Sequence, residues 1–199
     1  FFRPCSPALL SPMGNKSSSR APLENERIEE LHGKTHYQRS EVKQLYKQFS
    51  GQAPSRAPTE VEFTALSQSI GIRDPFVTKM VFNAFDRKRR GSIDFADFVH
   101  GMSTMTQGAL DEKAELIFRM LDIRGTGSVS QDDLLETATH LHLLLGDMGL
   151  PQGDSDQSPQ ALVDRIWSAV HPQGPAMTLE EYKAGALKDP AIMRAINHF

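Results

Sequence analysis

Cysteine is nearly absent from the chain: 199 residues contain one, Cys5. A disulfide framework and a cysteine-based zinc site are therefore excluded, and the composition fits a reducing, cytoplasmic compartment. An excess of basic charge is lacking too. Lys and Arg total 22 against 25 Asp and Glu, a net charge of -3, which argues against a nucleic-acid partner. Long apolar runs are missing. The longest, Leu141 to Leu145, is interrupted by His142 and falls far short of the roughly 20 residues that span a bilayer. The sequence also lacks a Gly-rich phosphate loop, a nucleophile elbow and a metalloprotease helix, so nothing points to catalysis or to a small-molecule substrate. What is present is enough to build a core: 39% of the residues are apolar and 8% aromatic.

The amino-terminal stretch reads as a flexible leader over residues 1–22. Met13-Gly14-Asn15-Lys16-Ser17-Ser18 matches the N-myristoylation pattern, in which Gly follows the initiator Met and Ser or Thr sits four positions on. Met13 is thus the expected true start, with Phe1 to Pro12 read as a fragment edge or as upstream translated sequence that blocks the glycine amine. One acyl chain anchors only marginally, so Lys16 and Arg20 would supply the second, electrostatic attraction to a membrane surface.

From Leu23 onward the pattern is helical. Phe95, Phe98, Val99 and Met102 fall at i, i+3, i+4 and i+7; Leu134, Ala138, Leu141 and Leu145 form a second stripe, and Leu162, Ile166 and Val170 a third. Start signals agree. Thr59-x-x-Glu62 and Thr178-x-x-Glu181 are capping boxes, and Asp74-Pro75, Ser158-Pro159 and Asp189-Pro190 place a cap before a proline at the first helical position. The expected architecture is all-α, with about ten helices; one break falls at residues 104–109, and the longest, Gly146 to Gln157, reads as a mobile linker.

Two segments repeat at a spacing of 36 residues. Phe85-Asp86 leads to Gly91, Ile93, Asp94 and Asp97; Leu121-Asp122 leads to Gly127, Val129, Ser130 and Asp133. Each has Asp at loop position 1, Gly at 6, a β-branched residue at 8 and an acid at 12, between amphipathic helices. That is the frame of an EF-hand, a helix, a 12-residue loop and a helix. The glycine permits the sharp turn, residue 8 pairs with the neighbouring loop in a short β ladder, and residue 12 closes the coordination from the second helix. One such segment could be a plain helical hairpin; two in register make the EF-hand frame the better reading.

With that frame the sequence resembles the neuronal calcium sensors, relatives of frequenin and recoverin, from about Met13 to Phe199. The resemblance is densest in Glu29-Glu30-Leu31-x-x-Lys34-Thr35, Glu41-Val42-x-x-x-Tyr46-Lys47-x-Phe49, Val81-Phe82-Asn83-x-Phe85-Asp86 and Gly108-x-Leu110-Asp111-Glu112-Lys113. Val163-Asp164-Arg165-Ile166 and Asp189-Pro190-Ala191-Ile192 continue it. It implies four EF-hands in two paired lobes, here 23–103 and 104–199, calcium as cofactor, and myristoylation at Gly14. It also implies a regulatory role in which an apolar groove takes an amphipathic helix of a protein partner. Phe82, Phe85, Phe98, Met102 and Met105 are the candidate groove residues. Met80 and Met120 share the adaptable character of Met102 and Met105, although as ordinary core these methionines need no groove role.

The ligand inventory departs from the family. Calcium takes six to eight oxygens, mostly from loop positions 1, 3, 5, 7, 9 and 12. In the loop from Asp86, positions 3 and 5 are Lys88 and Arg90, and four cations face only Asp86, Asp94 and Asp97. A fixed positive charge there repels a divalent ion by several kcal/mol at an effective dielectric of about 20. The loop from Asp122 keeps Asp122, Thr126, the Ser128 carbonyl, Ser130 and Asp133, with Arg124 at position 3. Its shorter acid at 12 favours magnesium or weak calcium binding. Between Phe49 and Phe63 no carboxylate precedes Glu60; between Trp167 and Tyr182, His171 stands where Asp is expected and the loop is one residue short. Neither is expected to bind metal. Lys88, Arg90 and Arg124 are expected to pair with Asp86, Asp94 or Asp122 as built-in cations. The run Arg87-Lys-Arg-Arg90 also fits a phospholipid or localisation signal, although a solvated loop is the stronger reading, and His140 and His142 point to different helix faces and make no zinc pair. Two alternatives stay open: an adaptor that has lost metal control, and the regulatory EF-hand part of a larger enzyme.

Overall fold

The computed structural model describes residues 21–52, 58–69, 71–147 and 158–198. Gly14, Lys16, Arg20 and most of the expected linker before Ser158 lie outside the described residues. The elements run α1 Ala21–His32, α2 Arg39–Gln52, α3 Glu60–Ser69, α4 Pro75–Phe85, α5 Phe95–Gln107, α6 Leu110–Leu121, β1 Ser128–Ser130, α7 Gln131–Asp147, α8 Pro159–Val170, β2 Ala176–Thr178, α9 Leu179–Ala186 and α10 Pro190–His198. The expected all-α architecture is observed, with a small two-stranded sheet. Successive pairs α2–α3, α4–α5, α6–α7 and α8–α9 form four helix-loop-helix units.

Sequence caps set several helix starts. Asp74 accepts the Val77 amide at 2.9 Å with Pro75 at the first helical position, Ser158 accepts the Ala161 amide at 3.1 Å, and Thr178 and Glu181 form a reciprocal box. Each satisfies an amide that a helix start leaves without a partner. The loops pair as the residue at position 8 predicts. Val129 lies opposite Met177 in the antiparallel β1–β2 ladder, and in the other pair Thr59 bridges Ser92 while the Ile93 amide donates to the Pro58 carbonyl at 3.0 Å.

Two apolar clusters fill the interior. Phe63, Phe85, Phe98, Ile93 and Val99 anchor the first; Val129, Met177, Leu134, Val163 and Ile196 anchor the second. Helix α6 serves both: Leu116 and Met120 enter the first, Ala114, Phe118 and Leu121 the second. Two details differ from the sequence reading. Leu162 is exposed, and Val163 takes its place as the inward residue beside Ile166 and Val170, because packing against the second core sets which face of α8 turns inward. Helix α5 runs past residue 104 to Gln107, its last turn held by Thr106 bonding the Met102 carbonyl at 2.8 Å and by Gly108 donating to Thr104 at 3.0 Å.

Candidate functional site

The two repeated loops open with the same backbone device. The Asp86 carboxylate accepts the Arg90 amide at 3.0 Å and the Gly91 amide at 2.6 Å. Asp122 does the same with Thr126 and Gly127, both at 2.9 Å. Gly91 and Gly127 sit at φ +72° and +79°, the left-handed region in which a side chain would be strained. Both aspartates are almost fully buried.

In the second hand, Arg90 fills the loop. Its guanidinium donates to Asp97 and, at 3.2 Å, to Asp94. The same carboxylates form the capping box of α5, Asp94 taking the Asp97 amide at 3.0 Å and Asp97 the Asp94 amide at 3.1 Å. Burial pushes the Asp97 carboxyl up, reinforced by the Asp94 charge. Burial also works against the Asp94 carboxylate, but the Asp97 amide and the Arg90 guanidinium outweigh it and hold that group low. The candidate ligands Asp86, Asp94 and Asp97 are thus brought together, each bonded to donors of its own loop.

The third hand is closed by two guanidiniums. Arg124 donates to Asp133 at 2.8 Å. The second comes from the neighbouring loop: Arg89 donates to Asp122 at 2.6 Å. Arg89 itself takes a left-handed φ of +52° and lies against Gly125, where any Cβ would meet its guanidinium. The remaining candidate oxygens are engaged as well. The Thr126 hydroxyl donates to the Ser128 carbonyl at 2.9 Å, and the Ser130 hydroxyl donates to Asp133 at 2.6 Å. Asp122 is thus bonded to Thr126, which meets Ser128, and Asp133 to Ser130, but as arranged the donor set does not fit a divalent ion. It supplies two carboxylates, both bonded to guanidinium, against the six to eight oxygens calcium takes. Among the described residues, no group of three or more His, Cys, Asp or Glu side chains is disposed to hold a metal ion.

Arg90 pairs with Asp94 as the sequence leads one to expect, and the other pairings differ in partner. Arg124 serves Asp133 and not Asp122, Asp86 receives backbone amides and no guanidinium, and Lys88 makes no ion pair among the described residues. Arg89 was not anticipated. The signal that could have found it is the absent side chain at Gly125, the position in the third loop that corresponds to Arg89 in the second.

Among the described residues, no cation closes the fourth loop. Glu181 accepts the Gln173 amide at 3.0 Å on one oxygen and the Thr178 amide at 2.8 Å on the other, and these backbone bonds keep its carboxyl low. His171 terminates α8 at φ +47°.

The candidate groove residues Phe82, Phe85, Phe98, Met102 and Met105 all lie in the first core cluster and are buried in this conformation. They pack on one another: Phe85 and Phe98 meet edge-on with centroids 6.2 Å apart, and Phe63 covers Phe82 at 5.7 Å. No helix among the described residues is long and apolar enough to cross a membrane.

Residues 76–139, from α4 through most of α7, match the EF-hand domain pair. The chain is 31% identical over 184 residues to calcium-binding protein NCSA of Dictyostelium discoideum, covering 92% of this chain and 97% of that protein. It is 30% identical over 188 residues to neuronal calcium sensor 1 of Lymnaea stagnalis, covering 92% and 96%.

Proposed function

Since the chain belongs to the neuronal calcium sensor family of EF-hand proteins, we propose that it is a non-enzymatic regulatory protein whose own guanidinium groups have taken over most of the work of calcium. The carrying observation is that guanidinium groups neutralise the carboxylates at position 12 of both loops that retain the EF-hand frame, Arg90 on Asp97 and Arg124 on Asp133, and at position 1 of the third hand, Arg89 on Asp122. In a sensor with acidic loops, metal removal leaves carboxylates crowded without a counter-ion; here the counter-ion is covalently attached. Any remaining divalent binding belongs to Asp122, Thr126, the Ser128 carbonyl, Ser130 and Asp133, weakly, because Arg89 and Arg124 must leave first. The short acid at Asp133 suits magnesium as well as calcium.

The output is binding of an amphipathic partner helix. Phe82, Phe85, Phe98, Met102 and Met105 would receive it once the first hand swings off them. Methionine suits such a surface because its unbranched thioether repacks against varied shapes. Myristoylation at Gly14, with Lys16 and Arg20, would bring the complex to a membrane. Calorimetric titration of the purified protein with calcium and with magnesium tests the central claim: weak, single-site binding or none is expected, and two or more micromolar sites would overturn it. The self-neutralised loops also favour a second reading, an adaptor whose partner binding is the same in chelator and in calcium.

A further inference from the structure

The basic run Arg87 to Arg90 is divided by the fold. Arg89 and Arg90 turn to the aspartates of the loops, while Arg87 and Lys88 line a separate concavity of about 720 Å³ between α1, the second loop, α5 and α6. That volume lies in the range of small-ligand sites. Two further elements bring cations to it, Arg27 and Lys34 from α1 and its following turn and Arg119 from α6, and α5 adds the imidazole of His100. The acids on the wall are largely engaged. Glu30 holds Lys34 at 2.6 Å and Asp97 holds Arg90, which leaves Glu26. Among the described residues Arg27 and Lys88 have no ion-pair partner, and Arg87 reaches Glu115 only at 4.0 Å. A chain with a net charge of -3 thus gathers five cationic side chains around one hollow; Lys34 and Arg119 are paired to Glu30 and Glu115, while Arg27, Arg87 and Lys88 make no ion pair closer than 4.0 Å among the described residues.

We propose that this concavity is an anion site for a phosphate-bearing small group, with Arg27, Arg87 and Lys88 as its recognising residues. Arginine suits the task because its planar fork meets two phosphate oxygens at once, and lysine adds a mobile point charge. Sequence separation makes the site a tertiary one: Arg27 comes from the helix before the first hand, and Arg87 and Lys88 stand at loop positions 2 and 3. His100 reports on the potential. It is half-buried, and its imidazole is pushed below its ordinary value, first by burial and then by Arg87 and, more weakly, Lys34; Asp97 and Asp94 act in the opposite direction. An anion bound beside it would reverse the effect of those cations.

The test uses the protein in EDTA at low salt, with inorganic pyrophosphate as the probe and His100 followed by NMR. Saturating pyrophosphate is expected to raise the His100 pKa by roughly one unit. Replacing Arg27, Arg87 and Lys88 together with Gln should weaken binding at least tenfold while leaving the thermal midpoint in place, since all three side chains are exposed. Lys88→Glu alone is a second variant that removes little packing and should weaken binding in the same direction. A control carrying Lys43→Gln, Lys47→Gln and Lys79→Gln removes equal charge on α2 and α4. Equal weakening in the control, or an unmoved His100 in the wild type, overturns the proposal. Vesicles of phosphatidylcholine with a phosphoinositide, compared with phosphatidylserine vesicles of equal charge, separate the two sources of the phosphate. Phosphoinositide-selective binding that pyrophosphate displaces assigns a lipid headgroup, and pyrophosphate binding without it assigns a soluble ligand.

Discussion

Arg89, in the loop of the second hand, donates a 2.6 Å hydrogen bond to Asp122, the first residue of the loop of the third hand, and that carboxylate is 2% exposed. The bond joins the second hand to the third, alongside the Asn83 side-chain amide donating to the Ile123 carbonyl at 3.1 Å and Phe76 stacking on His140. A charge-assisted bond of this kind contributes about 1.5–3 kcal/mol, and a divalent ion at Asp122 must displace it. Arg89→Ala should therefore raise the magnesium and calcium affinity of the third loop by about tenfold or more. Calorimetry of the variant checks this, with Asp122→Ala expected to abolish the signal and Asp86→Ala to leave it unchanged.

Internal neutralisation predicts that the fold hardly depends on metal. The thermal midpoint, the helical circular dichroism and hydrophobic-dye binding should be nearly the same in EDTA and in millimolar calcium. A midpoint rise of about ten degrees would imply about 3 kcal/mol of linked binding for a chain of this size and would return the protein to the calcium-switched class.

His100 gives a pH dependence with a definite sign. Its folded pKa lies below the ordinary value of 6.5, so in the window beneath 6.5 the unfolded chain binds more protons than the folded one. Its contribution to stability is present in full above 6.5 and is lost as the pH falls through the folded value. Urea midpoints measured from pH 7.5 to pH 5 should decline, and His100→Gln should flatten the decline.

Gly185 stands in α9 where a Cβ would overlap the Val170 Cα of α8. Gly to Ala in an open helical position stabilises by about 1 kcal/mol, but here the obstacle is backbone and cannot rotate away. Gly185→Ala should destabilise by about 1–3 kcal/mol, read as a lower urea midpoint with unchanged slope.

The amino-terminal signal is checked by expression from Met13 with an N-myristoyltransferase. The product should gain the mass of a myristoyl group and prefer anionic over neutral liposomes, and Gly14→Ala should lose both.

Sequence alone determined the frame of this protein, because that frame rests on local rules. Asp86 and Asp122, Gly91 and Gly127, and Ile93 and Val129 stand at fixed offsets that a turn, a cap and a ladder require, and most of the helix starts follow from caps three residues long. The cations at chelating positions were legible for the same reason. Their partners were not. Which aspartate a guanidinium reaches depends on which loop lies beside it, and α6, buried on two sides between the clusters, sets the second loop against the third. Arg89 then leaves its own loop through a left-handed backbone and finds Asp122 over Gly125, and Arg27 meets Arg87 and Lys88 although they are 60 residues apart. Likewise the phase that turned Leu162 outward and Val163 inward was fixed by packing against the second core, a choice that periodicity leaves degenerate by one residue.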